Sequence, residues 1–302
     1  MIVTKFRSIL LATAIALSGC GGGGGGSVAS IPPPPVAPTP TPPTPPPTPT
    51  PPPTYAPAII FPSVTTSTQF ATLGYQGAFD RATAASLTGS GFSVSYDATA
   101  NNYVIDVPAS QPGVFEYSNK EGSLFSGKLT DPANPGQFQP ISLGVSRSQF
   151  DYTAWAFYQK EDLTAGWMAF GTPTPQAEVP VTGTASYSAE AYGYGGAYIE
   201  GRAKLQFDFG AGALSGMLDL WDAEWDPGER SYGHFTMANT ALGSGQNLGQ
   251  FSGDLADGAN SRRGSLNGQL TGPNARELMA RWTASYPNSE NVMYGILVGK
   301  KD

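Results

Sequence analysis

The 302-residue sequence has few of the side chains on which disulfide bonds, metal sites and catalytic sites depend. Cys20 is the single cysteine, so the rest of the chain has neither a disulfide bond nor a second thiol. His234 is the single histidine, which without cysteine ligands is too few for a zinc site. Neither a Gly-x-Ser-x-Gly nor a Ser-x-x-Lys motif is present. We therefore predict that the protein is not an enzyme and has no metal or cofactor site.

Near the start of the chain, the apolar run at residues 9–17 is shorter than the roughly 20 residues that a spanning helix needs. It follows Lys5 and Arg7 and leads into Leu-Ser-Gly-Cys at residues 17–20, an order typical of a secretory signal. The tetrad resembles the lipobox of bacterial lipoproteins, which implies that residues 1–19 are a signal peptide and that Cys20 is lipidated. Several acyl chains would hold the protein at a membrane. The alternative is an ordinary signal peptide with a chance cysteine.

A segment of low complexity follows Cys20. Residues 21–26 are all glycine, and proline and threonine dominate residues 31–57. Such a composition cannot form a core and favours polyproline II. We predict that residues 20–57 are a disordered tether, which would reach roughly 80 Å if fully extended. It is either a passive spacer or a proline-rich recognition motif.

Charged residues make up only 13% of the sequence, whereas it contains 38 glycines and 14 tyrosines. This composition is typical of exported β proteins. Loss of the signal peptide would leave 14 basic residues against 23 acidic ones, a net charge near −9. Such a charge argues against nucleic acid as a partner.

From residue 58 onward the pattern predicts an all-β fold. Apolar and polar residues alternate at 204–209, and an apolar-x-Gly-x-Leu pattern recurs at 125–129, 214–218, 251–255 and 266–270. Glycine at these strand positions indicates tight bends or close packing. A helical turn is predicted at Pro273. Residues 58–178, with a hairpin at 91–96 and 103–107, are predicted to form a small, less regular β domain that ends near 171–180.

Residues 179–302 are predicted to form an antiparallel barrel. Eight strand candidates lie near residues 181–190, 197–209, 213–222, 231–239, 247–255, 264–270, 279–286 and 292–298. Short links rich in Gly, Asn, Asp and Pro indicate an up-and-down meander. Eight strands allow closure into a small filled barrel, and an open sandwich is the alternative.

Several motifs in order resemble transferrin-binding protein B-like surface lipoproteins. They are Phe-Gly-Thr-Pro-Thr-Pro at 170–175, Thr-Gly-Thr-Ala-Ser-Tyr at 182–187, Phe-Ser-Gly at 251–253, Leu-Thr-Gly-Pro-Asn-Ala-Arg-Glu at 270–277 and Tyr-Gly-Ile-Leu-Val-Gly-Lys at 294–300. The resemblance implies a handle domain followed by an eight-stranded barrel, in one lobe. It also implies a lipid-anchored protein of the outer membrane with its domain on the extracellular face.

Candidate partner-binding residues are Tyr192 and Tyr194, which are predicted to lie on a glycine-rich loop between the first two barrel strands, and Trp225 and Tyr232 nearby. Tyrosine and tryptophan suit protein contacts because they bury large areas with few rotatable bonds. The alternative is that the loop simply caps the barrel. Acidic residues at 219–229 could bind Ca²⁺ or could form a polar strand end. His234 is predicted to be a residue of the barrel wall.

Two functions remain open on the sequence alone. The first is a non-enzymatic binding protein that captures iron, haem or a host or environmental carrier protein, working with a TonB-dependent receptor. Haem or Ca²⁺ is then a possible ligand. The second is a structural or adhesive envelope lipoprotein without a dedicated small ligand.

Overall fold

The computed structural model describes residues 60–79, 82–121, 124–130, 138–146, 150–225, 230–258, 262–286 and 290–302. All of them lie within one compact unit, Pro53–Asp302. The signal peptide, Cys20 and the tether lie outside the described residues, so their assignments stay predictions.

The first half of the unit is a closed antiparallel barrel of eight strands. Each strand pairs with the next one along the chain, and β8 pairs with β1 from Ala71↔Gly171 to Ala78↔Thr164. The strands are β1 (Thr68–Ala78), β2 (Ser93–Asp97), β3 (Asn102–Asp106), β4 (Gly113–Glu121), β5 (Leu124–Thr130), β6 (Phe138–Ser146), β7 (Thr153–Lys160) and β8 (Thr164–Gly171).

The second half is another closed antiparallel barrel of eight strands, in which β16 pairs with β9. The strands are β9 (Thr184–Tyr194), β10 (Tyr198–Asp208), β11 (Ala213–Asp222), β12 (Ser231–Leu242), β13 (Gln250–Asp257), β14 (Arg263–Thr271), β15 (Glu277–Ser285) and β16 (Val292–Lys301). Because both barrels are closed, no edge strand of either sheet is left to pair with another chain.

The interior of the second barrel is filled by side chains. Every second residue of β10 is buried, from Ile199 to Phe207, as a strand with one face in the core requires. Trp282 is fully buried, and its indole Nε1 donates a hydrogen bond of 2.9 Å to the Ile296 carbonyl. Gly268 leaves room for a neighbour, since a Cβ there would lie 2.1 Å from the Phe251 ring. The close packing predicted for the recurrent glycine is thus confirmed at this position.

Two strands are buried on both faces. β8 and β16 each contain seven consecutive buried residues, because their inward faces line a barrel and their outward faces pack on the other barrel. Trp167 of β8 and Ile296 and Val298 of β16 belong to this shared hydrophobic cluster. We call the contact between the outward faces of β1, β7 and β8 and those of β9, β15 and β16 the seam.

Helical structure in the described residues is limited to 3-10 turns at Ala84–Ser86, Gln176–Glu178, Gly245–Asn247 and Pro273–Ala275. The last of these is the turn predicted at Pro273. Within the described part of the chain, no helix is long and apolar enough to span a membrane.

The predicted all-β fold and the eight-stranded barrel of the second half are confirmed, and the open sandwich is excluded by the pairing of β16 with β9. The hairpin predicted at 91–96 and 103–107 is β2 and β3. The sequence did not predict that the first half also closes into an eight-stranded barrel. The domain limits near residue 178 stay a proposal.

Candidate functional site

Aromatic side chains from both barrels meet at one side of the seam, where β7 and β8 approach β9 and β10. The rings form a network of centroid distances between 4.5 and 6.5 Å. We call this set the aromatic cluster; it consists of Phe79, Trp155, Phe157, Trp167, Tyr192, Tyr194, Tyr198 and Tyr294. Offset and edge-on rings at these distances stabilise one another beyond the area that they bury.

Tyr192 and Tyr194 belong to this cluster, and their predicted position on a loop is wrong. Both lie in β9, because the strand continues through the Gly-Tyr sequence and pairs with β16 as far as Tyr194↔Tyr294. Tyr194 is 0% exposed and its ring lies 4.8 Å from that of Phe79. Its role in partner binding stays a prediction, but in this structure no partner could touch its side chain.

Burial also defines the chemistry of Tyr194. Its hydroxyl is buried and has no hydrogen-bond partner among the described residues. Burial raises the pKa of Tyr194 far above its usual value, and the neighbouring Tyr198 adds to the shift. The hydroxyl therefore stays protonated, and its contribution to the seam is that of a large packed ring.

Tyr192 is only half-buried and faces two different environments. Its ring lies 4.5 Å from the Trp155 ring of the first barrel and is stacked at 6.0 Å on Trp167. Its hydroxyl donates a hydrogen bond of 2.7 Å to Glu190 Oε2. Burial, with the charge of Glu190, raises the pKa of Tyr192. Tyr192 thus contacts both the aromatic cluster and the carboxylate of Glu190.

A buried carboxylate links the two barrels at the start of β15. Glu277, at the start of β15, accepts hydrogen bonds from the backbone N–H groups of Asp151 (2.8 Å) and Tyr152 (3.0 Å) in the first barrel. Beside it, the Thr153 and Thr271 hydroxyls are 2.7 Å apart. Burial raises the pKa of Glu277, although the two N–H groups oppose the shift. Glu277, the last residue of the motif at 270–277, thus connects the two barrels.

An arginine side chain links the two barrels on the side of the seam where β15 packs against β1. Arg281 of β15 lies over the Tyr75 ring, with the guanidinium carbon 4.8 Å from the ring centroid. It also donates hydrogen bonds to the carbonyls of Gly74 and Gly89 in the first barrel. This side of the seam is therefore occupied by a cation that the chain itself supplies.

Trp225 and Tyr232 lie at the end of the second barrel, on the β11–β12 hairpin. The buried Asp222 carboxylate accepts a hydrogen bond from the Tyr232 hydroxyl (3.1 Å) and forms an ion pair with Arg230 at 3.1 Å. Tyr232 is buried, whereas Trp225 is 50% exposed. The Trp225 N–H donates to the Asp222 carbonyl at 3.1 Å. Asp222 thus fixes the base of a hairpin that presents one exposed tryptophan.

Tyr198 lies between the two groups of predicted residues. Its ring is 4.8 Å from that of Tyr194, and its carbonyl accepts a hydrogen bond of 2.9 Å from the Ala223 N–H next to Asp222. It is 38% exposed. The aromatic cluster and the Trp225 hairpin therefore meet at β10, so the four predicted residues lie in two adjoining patches, of which only Tyr192 and Trp225 reach solvent.

The acidic stretch does not form a metal site in the described residues, where no group of three or more His, Cys, Asp or Glu side chains could hold an ion. Asp222 is engaged by Tyr232 and Arg230. Asp226 and Glu229 lie outside the described residues. His234 lies on the barrel wall and faces solvent, with its Nδ1 2.5 Å from Asp219 Oδ1.

Sequence reasoning missed Trp155, Trp167 and Glu277. The signal was present for the two tryptophans: in β7 and β8 both faces are apolar or aromatic, which predicts a strand covered on both sides. Nothing in the sequence indicated that Glu277 would accept two N–H groups from a segment 125 residues earlier.

No family model matches the sequence, and no curated protein matches it. Similar solved structures include a variant of transferrin-binding protein B from Haemophilus parasuis, with 15% identity over 76% of this chain and 45% of that chain and a TM-score of 0.49. The haemoglobin receptor HpuA from Kingella denitrificans has 14% identity over 79% and 88% of the two chains and a TM-score of 0.44.

A third similar structure is the N-lobe of lactoferrin-binding protein B of Moraxella bovis, with 14% identity over 79% of this chain and 100% of that domain and a TM-score of 0.35. The chain spans less than half the length of the first of the three. The family that the sequence motifs resemble thus recurs among the solved structures similar to this chain, and the eight-stranded barrel that the resemblance implies is present.

Proposed function

We propose that the protein is a lipid-anchored, surface-exposed and non-enzymatic binding protein whose partner is a protein, in the class of iron or haem carriers. The observation that carries the proposal is Trp225, half-exposed just beyond the end of β11, where a buried carboxylate fixes the strand end. The partner class is inferred from the motif resemblance alone.

An exposed tryptophan next to a strand end that is held by hydrogen bonds favours protein binding. Tryptophan, tyrosine and arginine dominate the residues whose truncation costs most binding energy at protein interfaces. A side chain held in place before binding loses less conformational freedom when the complex forms. Tyr198, 38% exposed and joined to the hairpin through the Ala223 N–H, extends the same surface.

Because both barrels are closed, a partner is expected to bind on their outer surface and not at a sheet edge or inside a barrel. A partner that adds a strand needs an unpaired sheet edge, and closed barrels have none. A small ligand in the second barrel would have to displace buried side chains such as Trp282 and Phe235. A partner would therefore contact outward-facing side chains and hairpins.

Lipidation at Cys20, the extracellular face of the outer membrane and a TonB-dependent receptor as co-partner belong to the same proposal. They are supported by the tetrad at residues 17–20, the tether at 20–57 and the motif resemblance. For Ca²⁺, the described residues contain no group of three or more His, Cys, Asp or Glu side chains that could hold an ion. Haem as a ligand rests on the motif resemblance alone.

The proposal is tested by binding of labelled haemoglobin, transferrin, lactoferrin and haem to intact cells that express the full chain. We expect one of the four to bind, and Trp225→Ala to weaken binding at least tenfold, equivalent to about 1.4 kcal/mol. Met217→Ala, which truncates another exposed apolar side chain of the second barrel, should change binding less than twofold.

A Cys20→Ala variant should lose cell-bound binding while the released protein still binds the same probe. The absence of binding to all four probes would favour the structural or adhesive function. Equal effects of Trp225→Ala and Met217→Ala would remove the hairpin from the proposed interface.

A further inference from the structure

A cavity of about 180 Å³ lies at one end of the seam, where β1 ends beside the β9–β10 turn and the β15–β16 loop. Phe79 and Ala82, which follow β1, line it from the first barrel. The turn at Gly195 and Gly196 and the side chain of Val292 line it from the second. The cavity is thus formed by both barrels together.

Contacts between the barrels hold the walls of this cavity in place. The Val292 N–H donates a hydrogen bond of 2.8 Å to the Ala82 carbonyl. The Phe79 ring lies edge-on to the buried Tyr194 ring at 4.8 Å, and the Phe79 N–H donates to the Leu163 carbonyl at 3.0 Å. A ligand that enters a cavity whose walls are already ordered loses less free energy to ordering them.

Three aromatic side chains, Phe79, Tyr286 and Tyr294, line the cavity. The Tyr294 hydroxyl already has an acceptor in the Ala165 carbonyl at 3.2 Å, so it needs no partner in the cavity. The Tyr286 ring lies 5.6 Å from the Tyr232 ring of the neighbouring β12. Aromatic rings attract one another in offset and edge-on arrangements, so a lining of this kind favours a further ring over a saturated group of equal size.

The volume of the cavity limits what it can hold. A dry apolar cavity of about 150 Å³ in a protein core holds one benzene molecule, and this cavity is slightly larger at about 180 Å³. Sites for drug-sized ligands enclose about 300–1,000 Å³. The cavity therefore has room for one six-membered ring with a small substituent and is too small for a haem.

We propose that this cavity binds a single aromatic ring, which is either a free compound of the size of a phenol or the side chain of a phenylalanine or tyrosine in another polypeptide. The ring would lie among Phe79, Tyr286 and Tyr294. The site is separate from Trp225 and does not depend on the partner class proposed above.

The test titrates p-cresol into the full chain with the Cys20→Ala substitution, so that neither lipid nor detergent competes for the cavity, and follows binding by ligand-observed NMR. A small ligand of this size should bind with a Kd of about 1 mM or below. The comparison compound is 4-methylcyclohexanol, which has a saturated ring of similar size. We expect p-cresol to bind at least threefold more tightly.

Competition with N-acetyl-phenylalaninamide identifies the source of the ring. Displacement of p-cresol by this compound at similar concentration would show that the cavity accepts a ring carried on a peptide backbone. Binding of p-cresol without such displacement would assign the cavity to free aromatic compounds. The proposed ring site is supported in either case.

Two variants locate the site. Val292→Phe fills the cavity from a partly buried position of the seam and should weaken p-cresol binding at least fivefold without lowering the melting temperature. Its control is Val181→Phe, the same exchange at a side chain that is 64% exposed, which should change binding less than 1.5-fold. Phe79→Leu should weaken p-cresol binding at least threefold and leave the affinity for 4-methylcyclohexanol within twofold.

Equal affinities for p-cresol and 4-methylcyclohexanol would mean that the cavity responds only to apolar size, and the proposal would be wrong. Equal effects of Val292→Phe and Val181→Phe would place the binding elsewhere and overturn it, as would the absence of p-cresol binding up to 20 mM. None of these measurements involves Trp225 or the carrier proteins, so the two proposals can fail separately.

Discussion

The two barrels share strand number and closure but differ in regularity. In the second barrel, β9 and β10 pair without interruption from Tyr198↔Tyr194 to Asp208↔Thr184. In the first, β3 and β4 are joined by two residue pairs, Val104↔Val114 and Ile105↔Gly113. Register shifts occur in both barrels, at β4–β5 and β5–β6 in the first and at β11–β12 and β12–β13 in the second.

The first barrel is most regular where it contacts the second. β8 pairs continuously with β1 and with β7, and these are the strands of the seam. The irregular strands β2 to β6 lie away from it. Since packing rather than strand propensity decides much of sheet stability, we infer that the seam supports the first barrel and that the second barrel depends less on the first.

The largest expected effect tests this dependence directly. Trp282→Ala in the core of the second barrel and Phe170→Ala in the core of the first should each lower the free energy of unfolding by about 3–5 kcal/mol. In calorimetry, Trp282→Ala should shift a single transition of both barrels. Phe170→Ala should instead split off an earlier transition. Two separate transitions for Trp282→Ala would mean that the seam does not couple the barrels.

An intermediate effect is expected at the carboxylate that fastens the seam. Glu277→Gln should lower stability by about 1–3 kcal/mol at pH 7, because one of the two N–H groups would then face an amide NH₂ instead of an oxygen. Chemical denaturation of the wild type and the variant measures it. Glu178→Gln is the control, since Glu178 accepts a single N–H, from Asn274, and a glutamine oxygen can still do so.

The pH dependence of the same residue has a definite sign. The pKa of Glu277 is raised above the ordinary 4.5, so the folded protein binds this proton more tightly than the unfolded chain does. The stability that this proton linkage adds is therefore fully present below that ordinary pKa and is lost as the pH rises through the raised one. The hydrogen bonds from Asp151 and Tyr152 to the carboxylate persist at pH 7. Denaturation between pH 4 and pH 8 should show this loss in the wild type and not in Glu277→Gln.

The smallest expected effect compares two tyrosine hydroxyls at the seam. The Tyr294 hydroxyl donates to the Ala165 carbonyl across the seam at 3.2 Å, so Tyr294→Phe should cost about 0.5–1.5 kcal/mol. The Tyr194 hydroxyl has no hydrogen-bond partner in the described part of the chain, so Tyr194→Phe should leave stability unchanged or raise it by up to about 1 kcal/mol. Melting temperatures of the two variants, measured together, check the contrast, and a larger loss for Tyr194→Phe would contradict it.

The sequence predicts the second barrel well because its strands alternate. All eight candidates correspond to observed strands, and the third matches Ala213–Asp222 at both ends. β9 was ended four residues too early, since Tyr192-Gly-Tyr194-Gly-Gly196 has the composition of a loop. Its pairing with β10 and β16 on both sides keeps it extended.

The first barrel is harder to predict because its strands lack a clean alternation. β7 and β8 are covered on both faces, so the period of two is lost, and β2 and β3 have only five residues each. The candidate site was found in part for a related reason. Residue type alone identified the four candidates Tyr192, Tyr194, Trp225 and Tyr232. Which of them reach solvent depends on contacts with residues distant in sequence.

β16 contributes to two parts of the structure. It pairs with β9 to close the second barrel, and its outward face forms part of the seam. A chain that lacks residues 292–301 would leave β9 and β15 with unpaired edges and would uncover the apolar side chains of β8. Such edges are templates for aggregation. A chain without β16 should therefore aggregate more readily than the chain that contains it.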